Sequence, residues 1–163
     1  MRLRLPLALG LAAFALVGCV TVQLGPPPPP EVTRLDTSGA PAGAPMAQAV
    51  NAFRAQNGRP PLRENRRLVA AAQAYARVQH STGGISHVGP NGSRVSDRIR
   101  AQGYDACFWA ENLAKGQGSV PEVVQDWIES PGHRRNLLSQ ASEFGYGRYG
   151  DTWVIVFGTR CDR

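Results

Sequence analysis

Glu111 and His133, a carboxylate and an imidazole, stand at either end of one stretch of this chain, FWAENLAKGQGSVPEVVQDWIESPGHRRNLL, from Phe108 to Leu138. Brought together, such a pair supplies a general base or part of a metal site. Alone, the two letters are weak evidence and read more simply as a solvated carboxylate and a surface histidine. What raises them is the helix between them. Ser119, Val120, Pro121 and Glu122 fit a capping box, and Val120, Val123, Val124, Trp127 and Ile128 recur at helical spacing. Pro131 and Gly132 are expected to stop that helix and present His133 on a rigid corner.

The blocks around these residues carry more than the pair does. ENLAKG, an apolar helix ending in Trp127, and SPGHRRNLL follow the upstream blocks NAFRAQNGRPPL, LVAAAQAYA, ISHVGPNG and DRIRAQGY. Together they resemble the CAP superfamily of cysteine-rich secretory, antigen 5 and pathogenesis-related 1 proteins, in its short bacterial form, over roughly residues 45–161. The resemblance implies a cleft holding two histidines and two glutamates. Three positions match: His87 from ISH, Glu111 from EN and His133 from SPGH. The family's second glutamate commonly lies three residues after the helix tryptophan, where this chain has Ser130. Glu129 is one place off, a rotation of about 100° on a helix.

Two neutral imidazoles and one carboxylate resemble the three-ligand, one-open-position arrangement of catalytic zinc, with His87 and His133 as metal ligands and Glu111 as the candidate catalytic base. The alternative reading is a hydrogen-bonded network of His87, Glu111 and His133 that knits loop, strand and helix end together. His80 sits at a helix end outside the motif and reads as a surface residue suited to a helix C-terminus.

Before the domain, Arg2 and Arg4 precede a short apolar run, as in an export signal over residues 1–18. Its end, Leu16, Val17, Gly18, Cys19, looks like a bacterial lipobox, with Cys19 lipidated and the protein held to a membrane by acyl chains. Val20 follows the cysteine, which favours the outer membrane, facing the periplasm, if the cell has two membranes. Residues 19–44 are rich in Pro, Gly, Ala, Thr and Ser, with Pro26 to Pro30 unbroken, and read as an extended tether with a reach of about 50–70 Å. Residues 45–163 make one domain.

The formal charge of +6 becomes +4 when Arg2 and Arg4 are removed, and Lys115 is the only lysine. No basic run is interleaved with aromatics, so no nucleic-acid partner is expected. Arg66 and Arg67, or Arg134 and Arg135, read as solvated helix faces or as contacts to an anionic wall polymer. Of the three cysteines, Cys107 and Cys161 remain after lipidation, and in an oxidising compartment such a pair is expected to be bonded.

Helices are predicted over residues 46–56, 66–80 and 95–102, with a glycine-rich loop over residues 81–93 carrying His87. Strands are predicted over residues 108–113, 144–149 and 152–158, the last so uniformly apolar that both its faces should be covered. The expected fold class is therefore α+β, a three-layer α/β/α sandwich around a small antiparallel sheet, as the CAP resemblance also implies. Three functions fit: a cell-envelope lipoprotein binding a lipid or cell-wall ligand, a metal-dependent hydrolase of a peptide or wall bond, or a structural envelope scaffold. No serine or cysteine nucleophile with a base is visible, which disfavours covalent catalysis.

Overall fold

A computed structural model describes residues 44–161. The expected export signal, the Cys19 lipidation site and the tether up to residue 43 lie outside the described residues. Among the described residues, five helices and four strands follow in the order α1 (Ala44–Gln56), β1 (Arg63–Glu64), α2 (Arg66–Thr82), α3 (Val95–Ala101), β2 (Ala106–Lys115), α4 (Val120–Glu129), α5 (Pro131–Leu137), β3 (Glu143–Tyr149) and β4 (Thr152–Arg160). The sheet order is β1-β3-β4-β2, which leaves β2 on an edge.

The apolar run of β4 does occupy the sheet centre. Trp153, Ile155 and Phe157 face one core with Met46, Val50 and Phe53 of α1 and Val123, Val124 and Trp127 of α4. Val154 and Val156 face the other, with Leu68, Ala72, Tyr75 and Ala76 of α2 and Ile99 of α3. Alternate residues of one strand thus feed two helical layers, the three-layer sandwich expected.

The α2 layer sits closest. A Cβ added at Gly145 would overlap the Leu68–Val69 backbone, and one at Gly147 the Ala72–Gln73 backbone. Glycine at alternate positions of β3 and alanine on the facing stripe of α2 therefore let helix and strand backbones touch.

Three details depart from expectation. The sheet is mixed, because β1 pairs in parallel with β3, Arg63 opposite Glu143; a two-residue strand is too short to show a period. The Ser119 hydroxyl caps α4 by accepting from the Glu122 N–H at 3.4 Å, but the Glu122 carboxylate reaches back to the Gly118 N–H at 2.8 Å, one residue earlier than a capping box requires. Pro131 does not only end a helix. Ser130 is extended (φ −82°, ψ 116°), as a residue before proline must be, and Pro131 then opens α5. Proline's missing N–H costs nothing in a first helical turn. His133 stands in that first turn and not on a free corner.

Cys107 and Cys161 are disulfide-bonded and tie the start of β2 to the end of β4. No helix among the described residues is long and apolar enough to cross a membrane.

Candidate functional site

The site forms at the free edge of β2, where segments from both helical layers meet. Glu111 points to the α2 and α3 side, since its register partner Val156 belongs to that core. Its carboxylate is buried, the side chain 2% exposed, and both oxygens are engaged. Oε1 lies 2.8 Å from His87 Nδ1, and Oε2 accepts from Arg98 Nη2 at 2.7 Å. A carboxylate can only accept, so Nδ1 of His87 carries the proton and the neutral ring keeps its lone pair on Nε2. The His87 side chain is 60% exposed.

Arg98, which the sequence reading passed over, organises this corner. Its guanidinium lies 3.4 Å over the Tyr75 ring centroid and also donates to Ser93 O at 2.8 Å and to His87 O at 3.3 Å. Tyr75 donates through its hydroxyl to Ser86 O, and Gln79 accepts from the Ser86 N–H. The glycine-rich loop, entered through Gly83 at the α2 cap, is thereby bound to α2 and α3 around His87.

From the other layer, the fully buried Asn112 donates to His133 O at 3.1 Å. Asn136 of α5 donates to Asn112 Oδ1 at 2.8 Å and to the Glu111 backbone carbonyl at 3.1 Å. Both asparagines lie in the blocks that pointed to the site, beside the residues that drew attention.

The pKa values of the two imidazoles shift in opposite directions. The hydrogen bond from Glu111, first, and its charge raise the pKa of His87 against an opposing effect of burial and Arg98. Burial, first, and the neighbouring His87 lower that of His133. Ser130 is the half-buried junction of α4 and α5 and makes no side-chain cap hydrogen bond. Glu129 is exposed and accepts from Gln125 at 2.7 Å, away from the site. His80 sits 3.2 Å from Asp151, apart from the site.

A catalytic zinc centre takes three protein ligands and one open position. With both oxygens of Glu111 spent on His87 and Arg98, two imidazoles remain, one fewer than a three-ligand catalytic site needs. Among the described residues, no group of three or more His, Cys, Asp or Glu is arranged to hold a metal ion. As arranged, these residues do not fit a three-ligand centre.

Comparison with known proteins assigns the class. Residues 47–157 match the model of the CAP family, described as the cysteine-rich secretory protein family, and the chain belongs to it. It is 30% identical over 115 residues to the uncharacterized protein YkwD of Bacillus subtilis, covering 69% of this chain and 45% of that protein. The chain thus spans less than half the length of this relative. Among solved structures it is similar to an extracellular protein containing an SCP domain from Bacillus anthracis, with a TM-score of 0.69 and 24% identity over 72% of this chain and 41% of that one. It is also similar to an outer surface protein of Borrelia burgdorferi, with a TM-score of 0.65 and 24% identity over 71% of this chain and 90% of that one. Likeness at that identity establishes the fold.

Proposed function

We propose that this is a cell-envelope protein, anchored through a lipidated Cys19, whose CAP domain binds an amphiphilic ligand at the β2 edge. The observation that carries this reading is the placing of apolar surface. Among the described residues, four large apolar side chains are exposed: Ile85, Val88, Trp109 and Tyr149. The first three lie within two residues of His87 or Glu111, and Trp109 shares the Glu111 face of β2, two residues along. Scattered exposed apolar residues are ordinary, but a group of them beside an ordered polar centre is what a ligand site presents. The ligand's apolar part would lie on Ile85, Val88 and Trp109. Its polar head would meet His87 Nε2, His133 and Ser130. The two solved relatives, one an extracellular and one an outer surface protein, fit an exported setting.

The metal-dependent hydrolase reading would need Glu111 free to act as base, and its two partners argue against that. Calorimetry with a long-chain monoacyl phospholipid below its micelle concentration tests the proposal. Binding is expected, and Ile85→Ser with Val88→Ser should weaken it about tenfold, as loss of two apolar contacts implies. No binding, or binding indifferent to that change, would overturn it in favour of a scaffold. Tight zinc uptake lost in both His87→Ala and His133→Ala would instead favour the hydrolase. Intact mass of the exported protein tests the anchor: acyl mass on Cys19 is expected, and a mature form without it overturns that part.

A further inference from the structure

At the other end of α2, some 25 Å from the His87 loop by the length of a 17-residue helix, an open and mainly polar depression of about 700 Å³ faces outward. Three arginines line it, from three different elements: Arg63 of β1, Arg67 in the first turn of α2 and Arg160 at the end of β4. Among the described residues two carboxylates, Glu143 and Asp105, share the lining, so there the positive charges outnumber the negative. The geometry points to a second binding site here, for a linear polymer bearing spaced oxyanions.

One contact holds the Arg67 guanidinium without using all of its donors. Arg67 Nη1 donates to Gly103 O at 2.7 Å, which leaves its other donors for a ligand. Glu143, with a side chain 12% exposed, accepts from the Tyr104 hydroxyl at 2.8 Å and stands 3.7 Å from Arg63. That separation is longer than a charge-assisted hydrogen bond, and the Arg63 side chain is 80% exposed. The wall carrying Arg160 is fixed by the Cys107–Cys161 disulfide and by the Cys161 N–H donating to Asp105 O at 3.2 Å.

The chemistry follows from these features. Guanidinium forks recognise carboxylate and phosphate in two-point fashion. An open depression of this size exceeds what one small anion fills, and its interspersed carboxylates repel dense negative charge. A chain whose negative groups are separated satisfies both conditions. Phosphodiester and carboxylate polymers share this chemistry.

Calorimetry on the purified full-length chain, with poly(glycerol phosphate), a phosphodiester polymer, and separately with polygalacturonate, a carboxylate polymer with one charge per sugar, tests the site. Binding of one or both is expected, weakening as salt rises. Arg63→Gln with Arg160→Gln should reduce affinity at least about tenfold, whereas Arg77→Gln with Arg135→Gln, which removes the same charge from exposed positions outside the depression, should change it less than about twofold. A response to one polymer only assigns the oxyanion. Equal loss in both double variants would reduce the effect to net charge and overturn the site, as would failure of the parent chain to bind either polymer. Unchanged thermal stability of the variants excludes misfolding as the cause.

Discussion

Removing the Arg98 guanidinium should cost more than any other single polar change at the site. In Arg98→Met the aliphatic stem is kept, but Glu111, 2% exposed, loses one of its two partners, and Arg98 itself is only 11% exposed. Breaking such a buried pair from one side costs about 3–5 kcal/mol, because the remaining charge is left with incomplete compensation. The lost cation–π contact with Tyr75 and the hydrogen bond to Ser93 fall within the same figure, since these groups share one guanidinium. Glu111→Gln keeps the shape and one acceptor oxygen but turns the other into an amide donor facing His87 or Arg98, and should cost about 1–3 kcal/mol. The double variant leaves neither charge buried alone and should fall short of the sum by about 2 kcal/mol. Urea unfolding of the four proteins, with the disulfide intact, measures each value. A cost below about 1 kcal/mol for Arg98→Met, with additivity within about 0.5 kcal/mol, would refute the reasoning.

Three further outcomes are expected. Cys161→Ser opens a loop of sequence separation 54 and should lower stability by about 4 kcal/mol on the chain-entropy model, read by denaturant unfolding, without altering ligand binding at the β2 edge. Gly147→Ala drives a methyl into the Ala72–Gln73 backbone and should destabilise by about 3 kcal/mol or more, whereas Gly84→Ala, where a Cβ meets nothing, should be nearly silent in the same assay. The two histidines should have opposite pH signatures. His87, with its folded pKa raised, contributes stability that is fully present below its unfolded value of about 6.5 and lost as pH rises through the folded value; His133, with its folded pKa lowered, penalises the fold as pH falls through about 6.5. His87→Gln should therefore destabilise more at about pH 5 than at about pH 8, and His133→Gln should relieve a penalty at about pH 5.

Most of the layer structure was legible because it rests on periodicity. The α2 stripe of Leu68, Ala71, Ala72, Tyr75 and Ala76 and the unbroken apolar run of β4 each declare which faces are buried, and all of them are. The α4 stripe announced Val123, Val124 and Trp127 in the same way. One local rule was ambiguous on its face: proline after an extended residue marks the stop of one helix and equally the start of the next, and here Pro131 serves both. Arg98 was hidden for a different reason. In DRIRAQGY it looks like a solvated helix charge, and only the meeting of α3 with Tyr75 of α2 and Glu111 of β2 makes it an anchor. Such a meeting is a property of the packed layers, which no window of sequence contains.

The adjacency of Glu111 and Asn112 follows from the edge position of their strand. Successive side chains of a strand point to opposite faces, so this dipeptide addresses both helical layers at one place. Glu111 holds the His87 loop and Arg98 on the α2 side, while Asn112 holds the His133 carbonyl and the Asn136 amide on the α5 side. In an inner strand, neighbouring strands on both sides would separate these two sets of contacts. At the edge there is no outer neighbour, and loop and helix come around it toward each other. Asn136 also donates to the Glu111 backbone carbonyl, which removes one acceptor from the exposed edge. The same bonds that bring the two imidazoles near each other thus blunt a strand edge that would otherwise recruit a second chain, and site and edge protection depend on one short set of residues.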